Sequence, residues 1–380
     1  MKIDTKNGNH LWRDALAKEM KNVGVAFDVL EDHQSVPVGW TKASGHLIWD
    51  VKMDFTRKAR WVKDGHRTAD PIGSNYAGVV SRDSVRIAFT IAALNGLDIC
   101  AADIQNAYIQ APTSEKHYVI CGPEFGEHQG KKAMIRRALY GGKSAGRDYW
   151  LHLRSCMEYL GFSPCKADPD IWMRKAKRVD NSDYWEYVLL YVDDCICIST
   201  DPESIVRNEI GKYFLMKEAS IGEPDVYLGG KVRKVELDTG EVCWAFSSSQ
   251  YVQEACKNVR NHLKLRNKDD KLQDCKYFLP QKAPGQMTTD YRAEIDVSPE
   301  LNATDAAYYQ SLIGIVGWMV ELGRVDICTE VSMLSSCLAL PREGHLLQLF
   351  RMFSYLEKQH NCEMVFDHTV PEIDKADFPK

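Results

Sequence analysis

The sequence predicts an α+β fold, and three observations carry that prediction. Residues 47–63 (LIWDVKMDFTRKARWVK) alternate apolar and polar side chains, the period of a half-buried strand pair. Residues 184–198 (YWEYVLLYVDDCICI) are two apolar runs meeting at Asp193-Asp194, a hairpin signal because Asp favours tight turns. Residues 304–359 read instead as three helices, broken near Gly323 and Pro341. With 380 residues, the chain has room for about two to three domains.

In chain order, the first element is a helix from Asn9 to about Asn22, followed by a polar loop. The strand pair at 47–63 carries Lys52, Arg57, Lys58, Arg60 and Lys63 against only Asp50 and Asp54, so its surface is basic. Residues 83–96 read as a helix capped by Asp83 or Ser84 and ended by Gly96, with Ile87, Ile91 and Leu94 on one face. An apolar run with an internal Asp follows from Leu97 to Gln110. From Gly130 to Arg147 there is no acidic residue, while Lys131, Lys132, Arg136, Arg137, Lys143 and Arg147 are positive. A helix from Asp148 to about Leu160 closes on Gly161. Beyond the hairpin, strands are expected at 225–237 and 241–247 and a helix at 250–264. Residues 265–300 are polar and read as a linker, and the last 20 residues are acidic and read as a frayed end.

Composition narrows the function classes. Hydrophobic residues make up 44% and charged residues 27%, which excludes a disordered or collagen-like chain. The net charge of -5 gives no overall basic signature, so any nucleic-acid reading must rest on local patches. None of the 12 cysteines forms a Cys-x-x-Cys pair, and they read as reduced thiols of a cytosolic compartment. No N-terminal signal region is visible, and no apolar stretch approaches the ~18 residues of a membrane helix, so no membrane partner is expected.

Three carboxylates carry the chemistry. Asp193 and Asp194 sit at a hairpin tip between buried strands, where Asp is also an ordinary turn residue. Asp103 lies within an apolar segment, where a carboxylate is costly unless it meets a cation or a metal. If one strand end and one hairpin converge, the three could hold two divalent ions. Such a pair stabilises both the attacking and the leaving oxygen of an in-line phosphoryl displacement. Mg²⁺ takes oxygen ligands, commonly one or two carboxylates plus substrate phosphates. The basic segments 52–63 and 131–147 would supply charge for a triphosphate and a nucleic-acid backbone.

Five strings in order complete the pattern. Tyr191-Val192-Asp193-Asp194 resembles the catalytic box of reverse transcriptases. Arg137-Ala138-Leu139-Tyr140-Gly141-Gly142-Lys143 resembles the ALYGLK segment of the Ty1/copia class of retrotransposon reverse transcriptases. Ala102-Asp103-Ile104-Gln105-Asn106-Ala107-Tyr108-Ile109 is similar to the first catalytic motif of that class, and Lys58-Ala59-Arg60-Trp61-Val62 to its fingers motif. Tyr227-Leu228-Gly229-Gly230 is similar to its primer grip. The likeness extends over about residues 45–360.

The resemblance implies a right-hand polymerase fold and an RNA-directed DNA polymerase, a nucleotidyltransferase. The implied division is N-terminal region and fingers 1–97, palm 98–112, fingers 113–154, palm with hairpin and primer grip 155–237, thumb and linker 238–300, and a helical connection region 301–380 without RNase H. Asp103, Asp193 and Asp194 would be the catalytic and metal-binding carboxylates, with the carbonyl of Ile104 an extra ligand. The implied cofactor is two Mg²⁺ ions, for which Mn²⁺ could substitute. Lys58, Arg60, Tyr108, Tyr140, Gly141 and Lys143 would bind the incoming nucleotide, Tyr108 as a steric gate against a 2′-hydroxyl. Tyr191, Val192, Leu228 and Gly229 would bind the primer end. Implied partners are an RNA template, a DNA primer or product, dNTPs, and other Pol or Gag-like components. The implied location is cytoplasmic, within virus-like particles, with nuclear presence left open.

The pattern departs from the family in one loop. Ser144-Ala145-Gly146 stands where Gln-Ser-Pro is usual, and Gly142 replaces a Leu. One alternative is a catalytically decayed remnant that binds nucleic acid or packs in a particle. A phosphate-binding P-loop, suggested by Gly142-Lys143-Ser144, fails because Arg137 stands where its first glycine is required.

Overall fold

The computed structural model describes residues 2–51, 55–227, 229–265 and 292–369. Helices and antiparallel sheets mix as expected for an α+β chain. Two compact units result: Met1–Val85 with Asp98–Glu223, and Arg86–Leu97 with Pro224–Lys380. Among the described residues no helix is long and apolar enough to cross a membrane.

The chain opens with α1 (Lys2–Asn7) and α2 (Leu11–Val23), then β1 (Phe27–Val29), β2 (Thr41–Lys42) and the hairpin of β3 (Gly45–Val51) and β4 (Arg57–Lys63). Next come α3 (Arg82–Asn95), β5 (Asp98–Asp103), the single turn α4 (Ala107–Gln110), β6 (His117–Ile120), β7 (Lys132–Ile135) and α5 (Ala145–Tyr159). β8 (Ser163–Pro164), β9 (Ile171–Lys177), β10 (Asp183–Tyr191) and β11 (Asp194–Ser199) follow, and α6 (Pro202–Ser204) begins an irregular helical stretch. Then come β12 (Val226–Tyr227), β13 (Gly230–Glu236), β14 (Val242–Ser247) and α7 (Ser249–Leu265). The described chain ends with α8 (Ala303–Glu321), α9 (Cys328–Ser335), α10 (Glu343–Lys358) and β15 (Glu363–Phe366).

The first unit is centred on a five-stranded antiparallel sheet of order β5-β11-β10-β9-β8. Within β10 and β11 the runs 187–190 and 195–198 are apolar because both faces are covered there: Val188, Leu189, Ile196, Cys197 and Ile198 are all fully buried. Amphipathic α5 lays Tyr149, Leu153 and Met157 against Trp172, Val188, Leu190 and Cys195. Residues 215–222 cover the outer edge of β5 through bridges at Ala101–Gly222 and Ile104–Met216. A second sheet, β1-β7-β6-β2, contains the parallel pair β2–β6, and β3–β4 form a separate ribbon. In the second unit, the sheet β12-β13-β14-β15 accompanies the helices, whose core includes Val252, Val259, Tyr309, Val316, Leu349 and Phe353.

Several expectations need correction. The buried face of α3 is Val85, Ala88, Phe89 and Ala92, whereas Ile87 and Leu94 are exposed. Two apolar stripes were available, and the one rich in small residues packs closely, with the Phe89 ring 5.2 Å from that of Phe366. The start of α3 is capped by Ser81, whose Oγ accepts the Ser84 amide at 3.1 Å, rather than by Asp83 or Ser84. The last 20 residues are not wholly frayed, because β15 pairs with β14 from Trp244–Phe366 to Ser247–Glu363. Residues 266–291 of the expected linker and 370–380 of the tail lie outside the described residues.

Candidate active site

The register of β5 against β11 brings the first carboxylate to the other two. Asp103 ends β5 directly opposite Asp194, the first residue of β11. The Ile104 amide donates to the Asp193 carbonyl at 2.7 Å, so the Asp103–Asp194 pair is of the type not bonded to itself. In such pairs the side chains share a face with Cβ atoms about 4.5–5.5 Å apart. Asp193 occupies the two-residue turn between β10 and β11, after Val192. Val192 has φ 56°, a conformation that a β-branched residue adopts only when its surroundings impose it.

Electrostatics reflect the crowding. Burial, followed by repulsion from Asp193 and Asp103, pushes the Asp194 carboxyl up to about 6. Burial also raises Asp193, and the Asp103 charge adds to it, while its own backbone and the charges of Lys58 and Lys217 pull it down. Lys217 carries no motif that marks it in the sequence. Its ammonium lies 3.2 Å from Asp103 Oδ2, supplied by the segment that covers the β5 edge. Three oxygen-donor side chains carrying mutually repelling charge suit a hard divalent cation, which would relieve the repulsion that two lysines only partly offset.

Around this centre the structure assembles most of the expected nucleotide residues. Tyr108 projects from α4, and its ring lies 5.0 Å from Tyr140 and 5.7 Å from Tyr149. Burial, then the Asp193 charge, raises all three phenols. Arg60 on β4 stands 5.8 Å over the Tyr140 ring. Gly141 has φ 80°, and a side chain there would collide with the Lys63 carbonyl, so only glycine lets the turn sit on β4. Lys143 bonds to the Thr68 carbonyl at 2.8 Å and to Asp70 at 2.6 Å. Beside the hairpin lies a mainly apolar cavity of about 190 Å³, lined in part by Tyr108, Gly146, Tyr149, Leu190 and Val192. Tyr191 pairs with Asp194 across the turn and is half-buried.

Leu228 lies outside the described residues, and Gly229, with φ 87°, belongs to the second unit. A separate donor cluster, Cys243, Asp367 and His368, has ligand atoms within 4.8 Å of one another. Here Asp367 Oδ1 accepts from the Thr369 amide and His368 Nε2 pairs with Glu241 at 2.9 Å, so the group reads as a hydrogen-bond cluster.

Residues 25–260 match the family model described as "Reverse transcriptase (RNA-dependent DNA polymerase)". The chain is 25% identical over 314 residues to the retrovirus-related Pol polyprotein from transposon RE1 of Arabidopsis thaliana, covering 79% of this chain and 19% of that protein. It is 28% identical over 307 residues to the corresponding polyprotein from transposon TNT 1-94 of Nicotiana tabacum, covering 76% and 21%. The putative transposon Ty5-1 protein of Saccharomyces cerevisiae is 26% identical over 259 residues, covering 67% and 74%. The chain thus spans about a fifth of the first two curated relatives. These relatives bear out the copia-type resemblance read from the motifs. Among solved structures, a foamy viral protease-reverse transcriptase in complex with double-stranded DNA matches with a TM-score of 0.44 and 12% identity, covering 92% of this chain and 49% of that one.

Proposed function

The chain belongs to the reverse transcriptase (RNA-dependent DNA polymerase) family, and from that premise we propose that it adds deoxynucleotides to a primer 3′-hydroxyl on an RNA or DNA template. The right-hand polymerase fold comes with that membership. The observation that supports the reaction best is the register that sets Asp103 opposite Asp194, one residue from Asp193.

Reverse transcriptases use divalent metal ions. In this reading Asp103, Asp193, Asp194 and the Ile104 carbonyl would hold two Mg²⁺ ions, or Mn²⁺ in their place. Bound there, the ions would supply activation of the primer hydroxyl and neutralisation of the departing pyrophosphate. The protein's own work is positioning and charge. Lys58, Arg60 and Lys143 hold the triphosphate. Tyr140 and Gly141 form the floor beneath the new base pair, where the absent side chain of Gly141 permits close approach. Tyr108, braced by two neighbouring aromatic rings, stands under the sugar and rejects a 2′-hydroxyl. Tyr191 and Val192 present the hairpin to the primer end. Leu228 and Gly229 are assigned to the primer on motif resemblance alone.

The test is dNTP incorporation on a primed RNA template with Mg²⁺. The expected result is extension by the wild type and none by Asp193→Ala. Template binding without extension in either Mg²⁺ or Mn²⁺ would instead establish a decayed remnant. Extension unaffected by Asp193→Ala would overturn the assignment.

A further inference from the structure

A buried ion pair lies beneath the nucleotide residues, outside the set assigned above. Lys63, the last residue of β4, has a side chain only 3% exposed. Its ammonium is gripped by the Glu115 carboxylate, itself 8% exposed, and lies 2.7 Å from His117 Nδ1. Burying a lysine is costly, and an apolar side chain would fill the same space more cheaply, so the pair calls for a reason other than packing.

The surroundings supply that reason. Lys63 is where β4, the strand carrying Lys58 and Arg60, meets the Tyr140–Lys143 turn. Its amide donates to the Tyr140 carbonyl at 2.8 Å. A side chain at Gly141 would strike the Lys63 carbonyl, and one at Gly65 would strike the Gly141 carbonyl. Added at Gly142, a Cβ would stand 3.5 Å from Glu115 Oε2, so the carboxylate lies directly under the turn. Strand and turn therefore touch backbone to backbone, with no side chain between them to absorb a shift. The directional contact that fixes this junction from below is Glu115 to Lys63.

We propose that Glu115 is a positioning residue that, through Lys63, sets the spacing between the β4 cations and the Tyr140–Gly141 floor and thereby the affinity for the incoming triphosphate. The inference rests on the nucleotide-binding reading above. Glu115 touches no substrate in it; a displaced junction misplaces Arg60 and the floor relative to each other. Misplacement of about 1 Å can cost on the order of 100-fold in rate.

The experiment compares wild type, Glu115→Gln and the apolar double variant Lys63→Met/Glu115→Leu. Glu115→Gln is expected to lower kcat/KM for dNTP roughly 10- to 100-fold, with a raised KM as its main component and the Kd for primed template little changed. The double variant removes the buried charges together and is expected to fold stably, yet to keep the raised KM because apolar packing lacks the directional tether. A double variant that recovers both Tm and KM would reduce Glu115 to a folding role and overturn the proposal. Amide hydrogen exchange provides a readout independent of activity. Glu115→Gln should speed exchange at 57–63 and 140–143 while leaving the Asp193–Asp194 hairpin unchanged. Unaltered exchange in those two segments would overturn the proposal even in a protein that extends no primer. An inactive wild type with the altered exchange would sink the polymerase reading while upholding the junction.

Discussion

Tyr108 and Asp194 show how single side chains are tuned by what surrounds them. The Tyr108 ring is wedged beside Tyr140 and Tyr149, which would hold it in place for its proposed role as a gate against a 2′-hydroxyl. Tyr108→Ala should raise ribonucleotide incorporation relative to deoxynucleotide by roughly 10- to 100-fold, the discrimination available from a pocket's shape, measured as the ratio of the two kcat/KM values. Asp194 is a carboxylate raised to about 6 by burial and its two acidic neighbours. Because its folded-state value lies above the unfolded one, the native chain binds the extra proton between about pH 4 and 6, and stability falls as pH rises through that window. Above it the penalty is fully present. Asp194→Asn should therefore raise the Tm of the metal-free protein at pH 7, by a free energy of at most about 3 kcal/mol before solvent screening reduces it. The same variant should lose at least ~100-fold in incorporation, the upper end of the roughly 10- to 100-fold loss that follows when only a partner of a metal ligand is removed. A lower Tm without metal would show that Asp194 serves the fold rather than a cation.

Whole elements carry the next level. The β10–β11 hairpin was legible because the apolar runs 187–192 and 195–198, separated only by two adjacent acids, require a turn at that point. Asp103 was legible because a carboxylate within an apolar segment demands a partner. Lys217 was not legible: it is a lysine in a polar segment, and only the bridge between Ile104 and Met216 brings it to Asp103. The buried face of α3 was hidden because Ile87 and Leu94 outweigh Ala88 and Ala92 in apolar character, while tertiary packing selected the smaller side chains. The β4 junction was equally hidden, since by pattern Lys63 is one more cation of a solvated strand. Burial pushes the Glu115 carboxyl up, but hydrogen bonds from His117 and Lys63 and the Lys63 charge outweigh it, holding the group at about 2. Its contribution to stability is therefore present above about pH 4.5 and lost as pH falls toward 2. Thermal melts over that range should show a steeper acid loss for wild type than for Glu115→Gln. Parallel melting profiles would remove Glu115 from the native ion pair.

At the scale of the molecule, a net charge of -5 conceals segregation. The basic residues of β4 and of 131–147 belong to the first unit, as do the three carboxylates, and several of the cations, Lys63, Lys131, Arg136 and Lys143 among them, are paired with acids there. The second unit's sheet was only half legible: β15 is four residues long and precedes an acidic tail, and its pairing with β14 depends on long-range contacts that no local pattern announces. The domain boundaries implied by the resemblance place 155–237 in one palm segment, while the compact units divide at Glu223 and Pro224. The proposed function depends on two distant chain segments converging on one shared cation site. Iron-mediated hydroxyl-radical cleavage tests this most directly, with Fe²⁺ substituting for Mg²⁺ and peptide cuts mapped along the chain. The expected result is cutting near both Asp103 and Asp193–Asp194, suppressed at both by excess Mg²⁺ and by Asp103→Asn. Cutting at one segment alone, or cutting indifferent to Mg²⁺, would contradict a shared site.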